Sequence, residues 1–163
     1  MRIGICDDNE KARRTVADWL KTRSDVPEET VYEFSCGEAL LEHLRRFTLD
    51  IVFLDCRMEG LDGIETAEAI RCNDSRIIII LLTDFTNYAR LGYNLDILDF
   101  ILKNEFEENA NRVFDKAVLS IRKAYYLCEN TVEFKVIRLG KCCLKVHKES
   151  FDQWLDALDN TTP

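Results

Sequence analysis

Three aspartates, a threonine and a lysine stand directly after apolar runs of strand length. Asp7 and Asp8 follow the run 3–6, Asp55 follows 51–54, Thr83 follows 77–82 and Lys103 follows 98–102. Brought to one rim, three carboxylates repel one another and resist ionising together unless a cation neutralises them. An oxygen-only donor set favours a hard ion, and Mg2+ characteristically takes one or two carboxylates, keeps waters and shares phosphate oxygens. A metal-neutralised carboxylate beside an ammonium group is placed to attack phosphorus and form an aspartyl phosphate. In such chemistry Thr83 would donate its hydroxyl to one phosphoryl oxygen and Lys103 would pair with another. Taken singly, each residue has a plainer use: an aspartate after a strand as a turn residue, a threonine as a helix cap, a lysine as a solvated charge. Their joint arrival at the ends of four strands is the informative point.

The elements that must position them are legible as an alternation. Runs at 3–6, 30–34, 51–54, 77–82 and 98–102 have strand length. Ile51-Val-Phe-Leu and Ile77-Ile-Ile-Ile-Leu-Leu are apolar throughout, as expected of strands covered on both faces of a parallel sheet. Between them the spacing is helical. Ala12, Val16, Trp19 and Leu20 share a face in 10–22, and Ala39, Leu40, Leu44 and Phe47 share one in 36–47. There Ser35 and Glu38 have the spacing of a capping box. Ile64, Ala67, Ala69 and Ile70 lie toward one side of 62–72, with Asp62 near its start. Phe106, Ala110, Val113, Ala117, Ile121 and Ala124 recur at threes and fours in 105–127. This alternation predicts an α/β fold, a five-stranded doubly wound parallel sheet with right-handed crossovers. Such folds bind ligands outside the C-terminal strand ends, near the point where strand order reverses.

On these residues the chain resembles the response regulator receiver domain family of two-component systems, a flavodoxin-like fold. Ile5-Cys6-Asp7-Asp8-Asn9 is similar to the family's acidic doublet. Ile51-Val-Phe-Leu-Asp55-Cys-Arg57-Met-Glu59-Gly-Leu-Asp-Gly63 resembles its phosphoacceptor segment. Leu81-Leu-Thr83 and Asp99-Phe100-Ile-Leu-Lys103 resemble its switch threonine, switch aromatic and lysine. Leu98-Asp-Phe-Ile-Leu-Lys is also similar to receivers joined to LytTR-type DNA-binding domains. The resemblance covers 1–127. It implies that Asp55 accepts a phosphoryl group from a sensor histidine kinase. It also implies that Asp7 and Asp8 hold Mg2+ together with Asp55 and the backbone carbonyl of Arg57, Asp8 directly and Asp7 largely through water. Thr83 and Lys103 would read the phosphoryl group while Phe100 rotates between exposed and buried positions. The expected function is a phosphorylation-dependent switch for transcriptional control, with no enzymatic activity beyond loss of its own phosphoryl group.

Two other functions compete. A haloacid-dehalogenase-like phosphatase wants a second aspartate two residues after its nucleophile, where this chain has Arg57. A pseudo-receiver scaffold would not need the Asp8, Asp55, Thr83 and Lys103 set. The chain also departs from the receiver pattern. Glu59 and Asn104 stand where the family usually has proline, the second of these in a cis peptide. A cis bond before a non-proline residue costs about 2.5–4 kcal/mol, which favours trans there and leaves the placement of Lys103 open. Phe100 replaces the commoner tyrosine and has no hydroxyl. Arg57 could screen a phosphoryl group from water or serve as a plain surface arginine.

Composition sets the outer bounds. Residues 2–6 run straight into acids and do not read as a signal peptide, so a cytoplasmic location is expected, with no membrane partner. Seven cysteines, an odd number without a CxxC pair, read as reduced apolar residues. The net charge of −8 is uneven: residues 1–112 carry 14 basic and 23 acidic side chains, and 113–163 carry 8 and 7. Any contact with nucleic acid therefore belongs to the C-terminal third. Residues 128–163 form a short extension. Segments 131–137 and 142–147 alternate like strands around Arg138-Leu-Gly140-Lys, and 148–158 follows as a helix with Phe151, Trp154, Leu155 and Leu158 on one face. The extension is similar to the wing and last helix of excisionase-type winged-helix modules, without the helix-turn-helix half. Its expected use is docking or homodimerisation anchored by Phe151 and Trp154, ahead of DNA contact through Arg138, Lys141, Lys145 and Lys148.

Overall fold

The computed structural model describes residues 1–84 and 95–130 and the strand segments 136–139 and 143–146, with side chains as far as residue 123. In chain order the elements are β1 (Ile3–Cys6), α1 (Glu10–Lys21), β2 (Val31–Phe34), α2 (Gly37–Leu44), β3 (Ile51–Asp55), α3 (Gly63–Asn73), β4 (Ile78–Thr83), β5 (Asp99–Leu102) and α4 (Phe106–Asn130). They are followed by β6 (Val136–Leu139) and β7 (Cys143–Val146). The first five strands form one sheet in the order β2-β1-β3-β4-β5, parallel at every pairing. This is the doubly wound α/β architecture that the alternation predicts.

Burial follows from position in the sheet. β1 and β3 are buried throughout and β4 is buried in all but its first residue, because helices cover both faces. On one face Trp19 of α1 meets Phe53, Phe106 and Phe114 edge-on, with ring centroids 6.1, 5.5 and 5.4 Å away. On the other, Leu40 of α2 and Ala67 and Ile70 of α3 pack with Val52, Leu54, Ile79 and Leu81. β2 and β5 are the edges, and each is only partly buried.

Helix starts show how sequence sets the geometry. Asn9 caps α1, its side chain accepting from the Lys11 and Ala12 amides at 2.9 and 3.4 Å. Asp62 caps α3 in a capping box, accepting from the Glu65 amide at 2.8 Å while Glu65 accepts from the Asp62 amide at 3.1 Å. The box expected of Ser35 and Glu38 does not form. Cys36 is the N-cap of α2 and makes no side-chain capping bond, and Glu38 accepts instead from the Leu61 amide at 3.1 Å. α2 also ends at Leu44, so Phe47 lies beyond it and is 54% exposed rather than on its buried face.

By compactness the chain divides into two units, Met1–Leu119 and Ser120–Pro163. The second contains an antiparallel pair, Val136 opposite Val146 and Leu139 opposite Cys143, so β6 runs two residues further than the turn expected at Arg138. The expected helix 148–158, with Phe151 and Trp154, lies outside the described residues, as does Lys141.

Candidate functional site

The order β2-β1-β3-β4-β5 reverses between β1 and β3, and the C-terminal ends of these two strands deliver the carboxylates. Asp7 follows β1 and is fully buried, Asp8 is exposed, and Asp55 ends β3 at 4% exposure. One ligand atom from each lies within 4.8 Å of the others. Lys103 enters from beyond β5, its Nζ 2.8 Å from Asp7 Oδ2 and 3.0 Å from Asp55 Oδ1. No peptide bond among the described residues is cis, so Lys103 reaches this position with a trans bond to Asn104.

Local bonds fix the rim. The Asn9 amide donates to Asp7 Oδ1 at 2.9 Å, and the Asp7 amide donates to the Phe34 carbonyl at 3.2 Å. Arg13 Nη1 donates to the Asp7 carbonyl at 2.7 Å and to that of Asp8 at 3.3 Å, while its Nε lies 3.7 Å from Glu33 of β2. The Glu59 amide donates to Asp8 Oδ2 at 3.1 Å. Gly63 closes the segment after β3, its amide donating to the Cys56 carbonyl at 3.2 Å. A Cβ there would overlap the Asp55 carbonyl oxygen, so only glycine lets α3 begin this close to the strand end.

The electrostatics are those of a crowded acidic pocket. Burial, and then the Asp7 charge, push the Asp55 carboxyl up to about 6 against the opposing hydrogen bond and charge of Lys103 and a bond from the Arg57 amide. Burial alone would depress Lys103, but hydrogen bonds and charge from Asp7 and Asp55 outweigh it and hold the ammonium above its ordinary value. Asp7 Oδ2 is buried with the Lys103 ammonium 2.8 Å away, its one polar neighbour among the described residues outside the carboxylate cluster. A buried carboxylate oxygen with a single ammonium neighbour, flanked by two further carboxylates, fits a hard cation.

Thr83 ends β4, buried, and its side chain hydrogen-bonds Cys56. Phe100 is not drawn into the pocket: it projects from edge strand β5 at 38% exposure. Arg57 is exposed and reaches Asp55 through its backbone amide. Arg13 and the Glu59 amide are the participants that residue spacing did not single out. Arg13 carried one signal, a basic side chain in the first turn of a helix that begins beside two acids, where the helix dipole favours negative charge. A backbone amide carries no such signal.

Residues 3–113 match the model of the response regulator receiver domain, and the chain belongs to that family. It is 30% identical over 116 residues to the sensory transduction protein LytT of Bacillus cereus, covering 71% of this chain and 46% of that protein. It is 31% identical over 125 residues to LytT of Oceanobacillus iheyensis, covering 76% of this chain and 48% of that protein. The chain thus spans about half the length of these relatives. Among solved structures, the response regulatory domain of protein mrkE from Klebsiella pneumoniae superposes with a TM-score of 0.68 at 26% identity, covering 76% of this chain and 99% of that one.

Proposed function

We propose that the chain is a phosphorylation-dependent signalling switch whose acceptor is Asp55. The observation that carries this reading is the meeting of the Asp55 carboxylate with Asp7, Asp8 and the Lys103 ammonium at the switch point of the sheet. An Asp55 oxygen attacks the phosphorus of a phosphohistidine on a sensor histidine kinase. The O–P bond forms as the N–P bond breaks, and the released imidazole takes up a proton. Asp7, Asp8, Asp55 and the Arg57 carbonyl would hold Mg2+, which when bound supplies charge neutralisation for the carboxylates and the phosphoryl oxygens. Lys103 pairs with one phosphoryl oxygen. Thr83 leaves Cys56 to donate to another, and Phe100 moves inward behind it. Because a phosphoryl group shifts an equilibrium only by its differential stabilisation of one state, the unmodified chain already samples the second one.

The chain turns over no substrate and acts in the cytoplasm. Among the described residues no helix is long and apolar enough to cross a membrane. The output is transcriptional control, with DNA contact supplied by the extension or by a further domain and with phosphorylation-favoured homodimerisation as the relay. Incubation with a small-molecule phosphodonor and Mg2+, read by intact mass, tests the acceptor. The parent chain is expected to gain one phosphoryl group and Asp55→Asn none. Full phosphorylation of that variant would refute the assignment.

A further inference from the structure

We infer that the Glu59 backbone amide is a positioning group for the cation site, acting through Asp8. The inference rests on the cation reading of the Asp7, Asp8 and Asp55 cluster and deepens it. Within the cluster Asp7 and Asp55 are buried and pinned, Asp7 by the Asn9 amide at 2.9 Å and both by Lys103 at 2.8 and 3.0 Å. Asp8 is the exposed member. An exposed aspartate samples several rotamers, and a ligand that has to be ordered on binding weakens the site by the entropy lost. Here the Glu59 N–H, 51 residues away in sequence, donates to Asp8 Oδ2 at 3.1 Å. Coordination through one oxygen leaves the other free for such a bond. An outer-shell donor that fixes the ligand's orientation therefore supports metal affinity without competing for it.

The segment around residue 59 is built to hold that amide still. Met58, before it, is 8% exposed, with its Sδ 3.6 Å from Cys6 Sγ. After it, Gly60 adopts a left-handed conformation at φ 82°, and the Leu61 amide donates to Glu38 Oε1 at 3.1 Å. Backbone donors with anchored neighbours on both sides lose little freedom when they bond. A proline at 59 would have no N–H and could not make the contact. The departure at this position therefore exchanges a rigid ring for a hydrogen bond to a cation ligand.

Calorimetric Mg2+ titration of the full chain separates the amide from the side chain. Glu59→Ala keeps the N–H and is expected to bind Mg2+ within about twofold of the parent, while Glu59→Pro is expected to bind about three- to tenfold more weakly. Exchange of the Glu59 amide proton, followed by NMR without metal, gives a readout that needs no proline. It is expected to quicken at least about threefold in Asp8→Ala, with the Leu61 amide unchanged. Equal affinities for the two Glu59 variants, or a Glu59 amide indifferent to Asp8→Ala, would overturn the inference and leave the cation reading standing. A parent chain that binds no Mg2+ would overturn both.

Discussion

At Asp55 the fold holds a carboxyl pushed up to about 6 by burial and by the Asp7 charge, against an ordinary 3.8. A folded-state value above the unfolded one means that the folded chain binds the proton more tightly. The contribution is fully present below pH 3.8 and is lost as pH rises through 6. Asp55→Asn keeps the shape without the charge. It is expected to raise the stability of the metal-free chain at neutral pH by on the order of 1–3 kcal/mol, and the gain should vanish by about pH 4. Thermal unfolding in chelator at the two pH values checks this, and a pH-independent gain would remove charge as the cause. At this scale the sequence was readable wherever a side chain carried the signal. Asp7, Asp8, Asp55, Thr83 and Lys103 each stood at a strand end. Phe100 was legible as the switch aromatic only through the family resemblance, and its exposed placement depends on how β5 meets its neighbours. The Glu59 amide was not legible, because every non-proline residue carries one and only tertiary structure selects which of them meets Asp8.

Among the elements, β1, β3 and β4 were plain in sequence because burial on both faces demands unbroken apolar runs. The start of α2 was misread for a tertiary reason. Glu38 had the right spacing for a local cap, but the loop 23 residues on offered it the Leu61 amide. Phe114, fully buried against Trp19 and Phe53, was absent from the expected stripe of α4, since a stripe drawn at threes and fours omits its immediate neighbour. The contact between α2 and β2 holds a further titration. The His43 ring lies about 5 Å from the rings of Tyr32, Phe34 and Phe47, with its Nε2 buried and without a hydrogen-bond partner among the described residues. Burial, and then the Arg2 charge, lower its affinity for a proton below the ordinary 6.5. The unfolded chain therefore protonates first, and folded stability falls as pH drops below 6.5. His43→Phe removes that proton site and keeps an aromatic ring. Its stability relative to the parent is expected to be more favourable at about pH 5.5 than at pH 8, as urea unfolding at both would show. A difference that does not change with pH would assign the effect to packing alone.

Over the whole chain, the division into Met1–Leu119 and Ser120–Pro163 accompanies the charge imbalance, with the acidic excess lying in the receiver. Among the residues whose side chains are described, a chain ended at residue 127 keeps every buried one of the sheet and its helices. It is expected to unfold cooperatively with a midpoint within about 5 °C of the 163-residue chain. With a phosphoryl mimic, the full chain is expected to sediment as a dimer and the shortened one as a monomer. Equal masses for the full chain with and without the mimic would exclude phosphorylation-driven self-association. The strand order has one more consequence, for synthesis rather than signalling. Ile3 lies opposite Val31 on one side and Ile51 on the other, so β1 leaves the ribosome long before either neighbour. At about 5–20 residues per second, the acidic doublet waits several seconds for Asp55 to be made. β4 and β5, which complete the sheet beyond β3, arrive later still. Through that interval β1 has β2 within reach on one side but lacks β3 on the other, and the acidic doublet lacks the third carboxylate of its cluster.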